Sequence, residues 1–382
     1  MWSRVFTTIL IALVIGAAAF LGTLLSRSHE SSASRARRTD STRFTKGPAP
    51  PRQLYGKIEA PRPGQIYWGA FRLGAPYRKG LITSLEREVG SRPAVLMWYQ
   101  EWDGRPDFPV ADATWLVDNG IIPMVTWEPW KPPAVFGTIV NDQPRFSLAR
   151  IADGDWDGYI TRYAEEIKRF GGPVMLRPMH EMDGYWYPWS GTVQTSAGNS
   201  PAEYVRAWRH IWQVFQNVGA TNVTWVWSVN HLSVPDTPEN QVQNYWPGGR
   251  YVDWIGFSGF NWGTSDPRAV WDGFDAVERA RYLQLVSYGK PIALTEMGAP
   301  EVGGDKAAWI RDSFRAIFDR YPKLYMVIWY DKQDSALRRW QIDSSPASLT
   351  AFRQAIADPR VLGADSAIGT AIPWRGVGRG GA

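Results

Sequence analysis

Glu181 and Glu296 stand in matching settings. Glu181 lies in Pro173-Val-Met-Leu-Arg-Pro-Met-His-Glu-Met-Asp-Gly-Tyr-Trp-Tyr-Pro-Trp-Ser190, and Glu296 in Lys290-Pro-Ile-Ala-Leu-Thr-Glu-Met-Gly298. Each follows a short apolar run bounded by Gly or Pro, the mark of a buried parallel strand. A carboxylate at the C-terminal end of such a strand points into a shared cup if the strands close into a barrel. Two carboxylates facing each other across a sugar ring are the minimum for glycoside hydrolysis, one as general acid/base and one as nucleophile.

The elements needed to position them recur along the chain. Candidate strands are 67–71, 95–99, 122–127, 174–177, 223–229, 254–258, 292–295 and 324–329. Candidate helices are 80–88, 111–119, 158–170, 202–217, 267–287, 306–321 and a final one at 348–357. Only the fifth-to-sixth connection lacks a clear helix. Eight strands alternating with helices fit a (β/α)8 TIM barrel, with Glu181 after strand four and Glu296 after strand seven. The barrel is expected over 64–358.

The flanks differ in kind. Val5 to Leu25 is an almost unbroken apolar run behind Arg4, long enough for a transmembrane signal anchor or a long signal peptide. Residues 26–63 are rich in Ser, Arg and Pro and are expected to be a disordered basic linker. Residues 359–382 are expected to form a flexible tail, in which a G-x-G-x-x-G match has no strand before it and no helix after it. Residues 1–63 carry ten Lys/Arg against three Asp/Glu, whereas 64–382 carry 32 against 34. The folded part is therefore near neutral, which argues against a nucleic-acid surface. The basic flank suits a membrane partner through residues 5–25, with the barrel extracytoplasmic in the cell envelope, or a secreted protein. The Arg that follow the span favour the opposite topology.

Cys is absent, so no disulfide framework or Cys-based zinc site exists. His180-Glu181 begins like the zinc motif H-E-x-x-H, but Gly184 stands where the second His belongs, and no metal is expected. The chain holds 22 Trp. Trp98, Trp102, Trp127, Trp130, Trp262 and Trp329 fall at or near C-terminal strand ends, where they would either pack a core or stack on the apolar faces of sugars. Trp186 and Trp189 would flank a sugar beside Glu181. Arg177 would hold a carboxylate in its charged form. His180 would bind a sugar hydroxyl, orient a carboxylate, or sit satisfied in the core. The substrate-binding set is thus His180, Arg177, Trp186, Trp189, Trp262, Trp329 and Trp127.

Over about residues 64–357 the chain resembles glycoside hydrolase family 26. The resemblance rests on His180-Glu-Met-Asp183-Gly-Tyr-Trp186, on Glu296 after strand seven, and on Tyr251-Val-Asp-Trp-Ile-Gly-Phe-Ser-Gly-Phe-Asn-Trp262. It implies a retaining endo-acting enzyme with Glu181 as acid/base, Glu296 as nucleophile and no cofactor. It also implies β-1,4-mannan as the foremost substrate, with β-1,3-1,4-glucan and β-1,3-xylan as further ones. Two positions depart from the family pattern. Asp183 replaces an Asn, and a like charge there would raise the pKa of Glu181. Phe260 stands where the family has a Tyr that hydrogen-bonds the nucleophile. That second departure keeps open a non-catalytic glycan-binding barrel, and the membrane segment permits a glycan-trimming or glycan-transferring role. The chain is expected to act as a monomer on polysaccharide or oligosaccharide.

Overall fold

The computed structural model describes residues 55–104, 107–132, 142–192 and 198–370. The apolar segment 5–25 therefore lies outside the described residues. Among those that are described, no helix is long and apolar enough to cross a membrane.

Eight parallel strands close into a barrel: β1 Ile66–Arg72, β2 Val95–Glu101, β3 Ile122–Glu128, β4 Val174–Pro178, β5 Val223–Asn230, β6 Trp254–Phe260, β7 Ile292–Gly298 and β8 Leu324–Asp331. Each pairs with the next, and β1 pairs with both β2 and β8. A ninth, short strand, β9 Val361–Leu362, adds to the start of β1. The helices are α1 Lys79–Val89, α2 Val110–Asp118, α3 Leu148–Ala152, α4 Asp157–Phe170, α5 Pro201–Val218, α6 Phe274–Val286, α7 Lys306–Arg320 and α8 Pro346–Ile356. Three short 3-10 turns join β5 to β6 in place of a full helix. Helix starts follow local chemistry: Ser200 accepts from the Glu203 amide and Pro201 opens α5.

Alternation along the strands sorts the side chains into two cores. One fills the barrel with Tyr67, Phe71, Met97, Tyr99, Met124, Met175, Val226, Phe260, Ile328 and Tyr330. The other lies between strands and helices and takes in Trp98, Trp127, Trp225, Trp227 and Trp329.

Three boundaries differ from the sequence expectation. Packed chain begins before residue 64: Ile58 is buried inside the barrel, its amide donates to Thr224 Oγ1 at 2.8 Å, and its carbonyl accepts from Trp254 Nε1 at 2.9 Å. Residues 55–60 thus cap the N-terminal end of the barrel rather than belonging to a linker. At the other end, β9 and the buried Ala367 continue the fold past residue 358. Helix α6 starts at Phe274, not at 267, because Pro267 and Arg268 form a turn and the residues from there to Gly273 are irregular.

Candidate active site

Glu181 sits three residues past β4. Pro178 ends the strand, and the chain then turns through two non-glycine residues in the left-handed region, Met179 (φ 48°) and Glu181 itself (φ 52°). Such conformations cost about 1–3 kcal/mol each and persist only where the surroundings hold them. Here the Met179 amide donates to Trp127 O at 3.1 Å and the Glu181 amide to Ser228 O at 2.9 Å. The turn aims Glu181 into the barrel mouth, where it is fully buried and its Oε2 accepts from Trp186 Nε1 at 2.9 Å.

Glu296 lies within β7 rather than after it. Its Oε1 accepts from Arg177 Nη2 at 2.5 Å, a pair with no solvent exposure on either side. Arg177 is fixed by further bonds from Nε to Thr126 Oγ1 at 2.9 Å and from Nη1 to Ser228 Oγ at 3.5 Å. One ligand-capable atom from each of His180, Glu181 and Glu296 lies within 4.8 Å of the others. A cation could in principle take these three, but Arg177 already supplies the positive charge on Glu296.

The two carboxyls have different surroundings. Burial, and then the charge of Glu296, push the Glu181 carboxyl up to about 8, against the opposing pull of Ser258, Arg177 and Trp186. Glu181 therefore holds its proton at neutral pH, while Glu296 stands in an ion pair. Burial and the Arg177 charge hold His180 well below its ordinary value, so its ring is neutral. Neither His180 nitrogen has a hydrogen-bond partner among the described residues, and Nδ1 is 3.8 Å from Glu128 Oε1. The hydroxyls of Tyr99, Tyr187 and Tyr330, the indole N–H of Trp262 and Glu296 Oε2 are likewise buried without partners. A set of unpaired donors and acceptors around two carboxyls is what a polyhydroxylated ligand would satisfy.

The expected substrate-binding residues divide. Arg177, His180, Trp186 and Trp262 belong to the mouth. Trp189 is fully buried, stacks on Tyr187 at 4.3 Å and donates to His180 O at 2.6 Å, so it supports the site from behind. Trp127 and Trp329 do not reach the cup. Each alternates outward on its strand, Trp127 stacking on Tyr163 at 4.6 Å and donating to Tyr159 Oη, Trp329 packing on Phe352 and donating to Trp340 O. Asp183 also departs from expectation. It pairs with Arg281 at 2.9 Å, and the like charge that raises Glu181 is that of Glu296. Phe260 does point into the barrel, where its ring packs against Tyr330 and Trp340.

Glu101, Glu128, Tyr99 and Tyr330 were missed by sequence reasoning. Glu101 and Glu128 are register partners at the ends of β2 and β3, and burial followed by the Glu101 charge raises Glu128 well above the carboxylate range. The period-two alternation was the signal for all four: each is an even number of residues from an inward neighbour on its strand.

Comparison with known proteins agrees with this geometry. Residues 138–344 match the family model for Glycosyl hydrolase family 26. Endoglucanase H of Acetivibrio thermocellus is 35% identical over 289 residues, covering 74% of this chain and 30% of that protein. Mannan endo-1,4-beta-mannosidase A and B of Caldalkalibacillus mannanilyticus is 28% identical over 183 residues, covering 46% and 32%. The chain thus spans about a third of the length of these relatives. The solved structure of a Cellulomonas fimi endo-beta-1,4-mannanase double mutant superposes with a TM-score of 0.59 at 20% identity, covering 81% of this chain and 74% of that one.

Proposed function

The chain belongs to glycosyl hydrolase family 26, and from that premise we propose that it is a retaining endo-β-glycosidase acting on β-linked polysaccharide, with β-1,4-mannan as first substrate. One observation carries the reading: two buried carboxyls with atoms within 4.8 Å of each other, one protonated by its surroundings and one paired with an arginine. Carboxyls about 5–5.5 Å apart perform double displacement, whereas an inverting pair stands about 6.5–9.5 Å apart to admit a water.

In this mechanism Glu296 attacks the anomeric carbon while Glu181 gives its proton to the departing glycosidic oxygen. Glu181, now a carboxylate, then takes a proton from the water that releases the sugar from Glu296. Neutral His180 and the three tyrosine hydroxyls would bind sugar hydroxyls, and Trp262 would line the cup. Both carboxyls come from one chain, so a monomer suffices. Attachment to a membrane through residues 5–25, with the barrel outside, belongs to the same reading and rests on that apolar run. Fractionation of cells expressing the full chain tests it, and a protein found only in the soluble cytoplasmic fraction would sink it.

A panel of galactomannan, glucomannan, lichenan, β-1,3-xylan and laminarin, with product sizing and anomer analysis, tests the activity. Short oligosaccharides released with retained β-configuration are expected. Binding without turnover on every glycan would instead favour a glycan-binding barrel, the reading that Phe260 keeps open.

A further inference from the structure

We propose that Asp183 and Arg281 form a buried clamp that positions Glu181, holding its loop in the left-handed backbone that aims the carboxyl at Glu296. The proposal rests on the catalytic reading above, but its geometry lies outside the cup.

Asp183 follows Glu181 by two residues and is fully buried. Its Oδ1 accepts from the Asn230 amide at 2.8 Å. Its Oδ2 accepts from Ser233 Oγ at 3.1 Å and from Arg281 Nη2 at 2.9 Å. Its carbonyl accepts from the Val234 amide at 2.7 Å and from Asn240 Nδ2 at 2.8 Å. One residue thus ties the Glu181 loop to the end of β5, to the loop after it and to α6. Arg281 is itself anchored, with Nη1 donating to Gln284 Oε1 at 2.7 Å and Nη2 also reaching Ser233 Oγ at 3.1 Å.

Breaking such a pair on one side leaves an uncompensated buried charge, which costs far more than the intact pair contributes. The loop would then relax toward solvent, and a left-handed Glu181 has a ready direction in which to relax. The other titratable groups that reach the pair are His231, Asp236, Tyr204, Tyr245 and Tyr288, and Glu278 sits one turn before Arg281 on α6. None supplies a second positive charge at neutral pH, because burial and Arg281 push His231 down to about 4. Arg281 is therefore the counter-ion of Asp183, and the two residues work as a matched set.

The test compares Asp183→Asn, Arg281→Met and the double variant. Each single variant is expected to lower kcat by on the order of ten- to a hundred-fold, the scale of a sub-ångström to 1 Å misplacement, with KM near the parent value. Each should also shift the alkaline limb of the kcat profile to lower pH as water reaches Glu181. The double variant, neutral throughout, should recover both. Single variants that lose thermal stability yet keep the parental kcat and pH profile at a temperature where they are folded would overturn the clamp. A readout without substrate separates this from failure of the catalytic reading. Trp186 Nε1 donates to Glu181 Oε2, so the Trp186 indole 15N–1H resonance, assigned with Trp186→Phe, reports Glu181 titration. That titration should move in the single variants and return in the double one, whether or not any polysaccharide is cleaved. An unmoved titration overturns the proposal. If the single variants do not fold, Arg281→Lys decides, since it keeps the charge but not the guanidinium contact to Asp183 Oδ2: a shifted Trp186-reported titration supports the clamp, and a parental one defeats it.

Discussion

The two ends of one barrel treat their polar groups differently. At the base, the 55–60 segment leaves its named groups paired: Lys57 Nζ reaches Asp253 at 2.6 Å, Asp253 Oδ2 also accepts from the Trp225 amide at 2.9 Å, and both backbone groups of Ile58 find partners. At the mouth, both His180 nitrogens, three tyrosine hydroxyls and Glu296 Oε2 have none among the described residues. A buried polar atom left unsatisfied costs about 1–3 kcal/mol. The fold meets that cost at the base, whereas the mouth offers its groups to water or to the hydroxyls of a bound sugar. One end is paired within the fold, and the other presents its polar groups unpaired among the described residues.

Substitutions at the mouth should therefore abolish turnover and spare the fold. Glu296→Ala is the largest expected effect: kcat on any accepted polysaccharide falls by about three orders of magnitude or more, as when other catalytic nucleophiles are removed. Residual parental activity would remove Glu296 from its role. Next is the pH dependence set by Glu181. The acid must be protonated, and its carboxyl sits at about 8. Activity should fall about ten-fold per pH unit above that value, seen as the alkaline limb of kcat/KM. The stability sign agrees: a raised carboxyl stabilises most below its unfolded value of 4.5, and that contribution is lost as pH rises through about 8. Thermal melts of Glu181→Gln should accordingly flatten between those pH values relative to the parent.

Both glutamates were legible because each is announced locally, by an apolar run ending at the carboxylate. The strands were legible to within one to three residues for the same reason: buried parallel strands read as continuous apolar segments. Long-range pairings were not. Asp183 meets Arg281 across 98 residues, and nothing near Asp183 marks it as paired. The base was hidden because Ile58 is a lone apolar residue in a Pro-rich, basic stretch. The tryptophans failed on parity. Residue type and position near a strand end singled out Trp127 and Trp329, but an odd offset from Thr126 and from Ile328 turns each toward the helices.

That parity can be tested directly. Trp127→Ala removes a fully buried indole from the layer between barrel and helices, where it stacks on Tyr163 and bonds Tyr159. It should destabilise by about 3–5 kcal/mol in denaturant unfolding. KM for oligosaccharides should stay near the parent value at temperatures where the variant is folded. A raised KM with unchanged stability would place the ring in the cup after all and blur the division between packing and binding aromatics.

The base offers the smallest effects and the finest test. Ile58→Ala deletes apolar volume from inside the barrel and should cost about 2–5 kcal/mol. Lys57→Ala, one residue away, removes an ion pair whose side chains are 46% and 20% exposed. Water screens such a pair, so its loss should cost only about 0.2–1 kcal/mol, diminishing in high salt. Asp253 would keep its bond from the Trp225 amide, which limits the loss further. Denaturant midpoints of the two variants, each measured at low and high salt, separate the contributions. If Lys57→Ala proved as costly as Ile58→Ala, the base would be held by its ion pair with Asp253 rather than by its buried side chain.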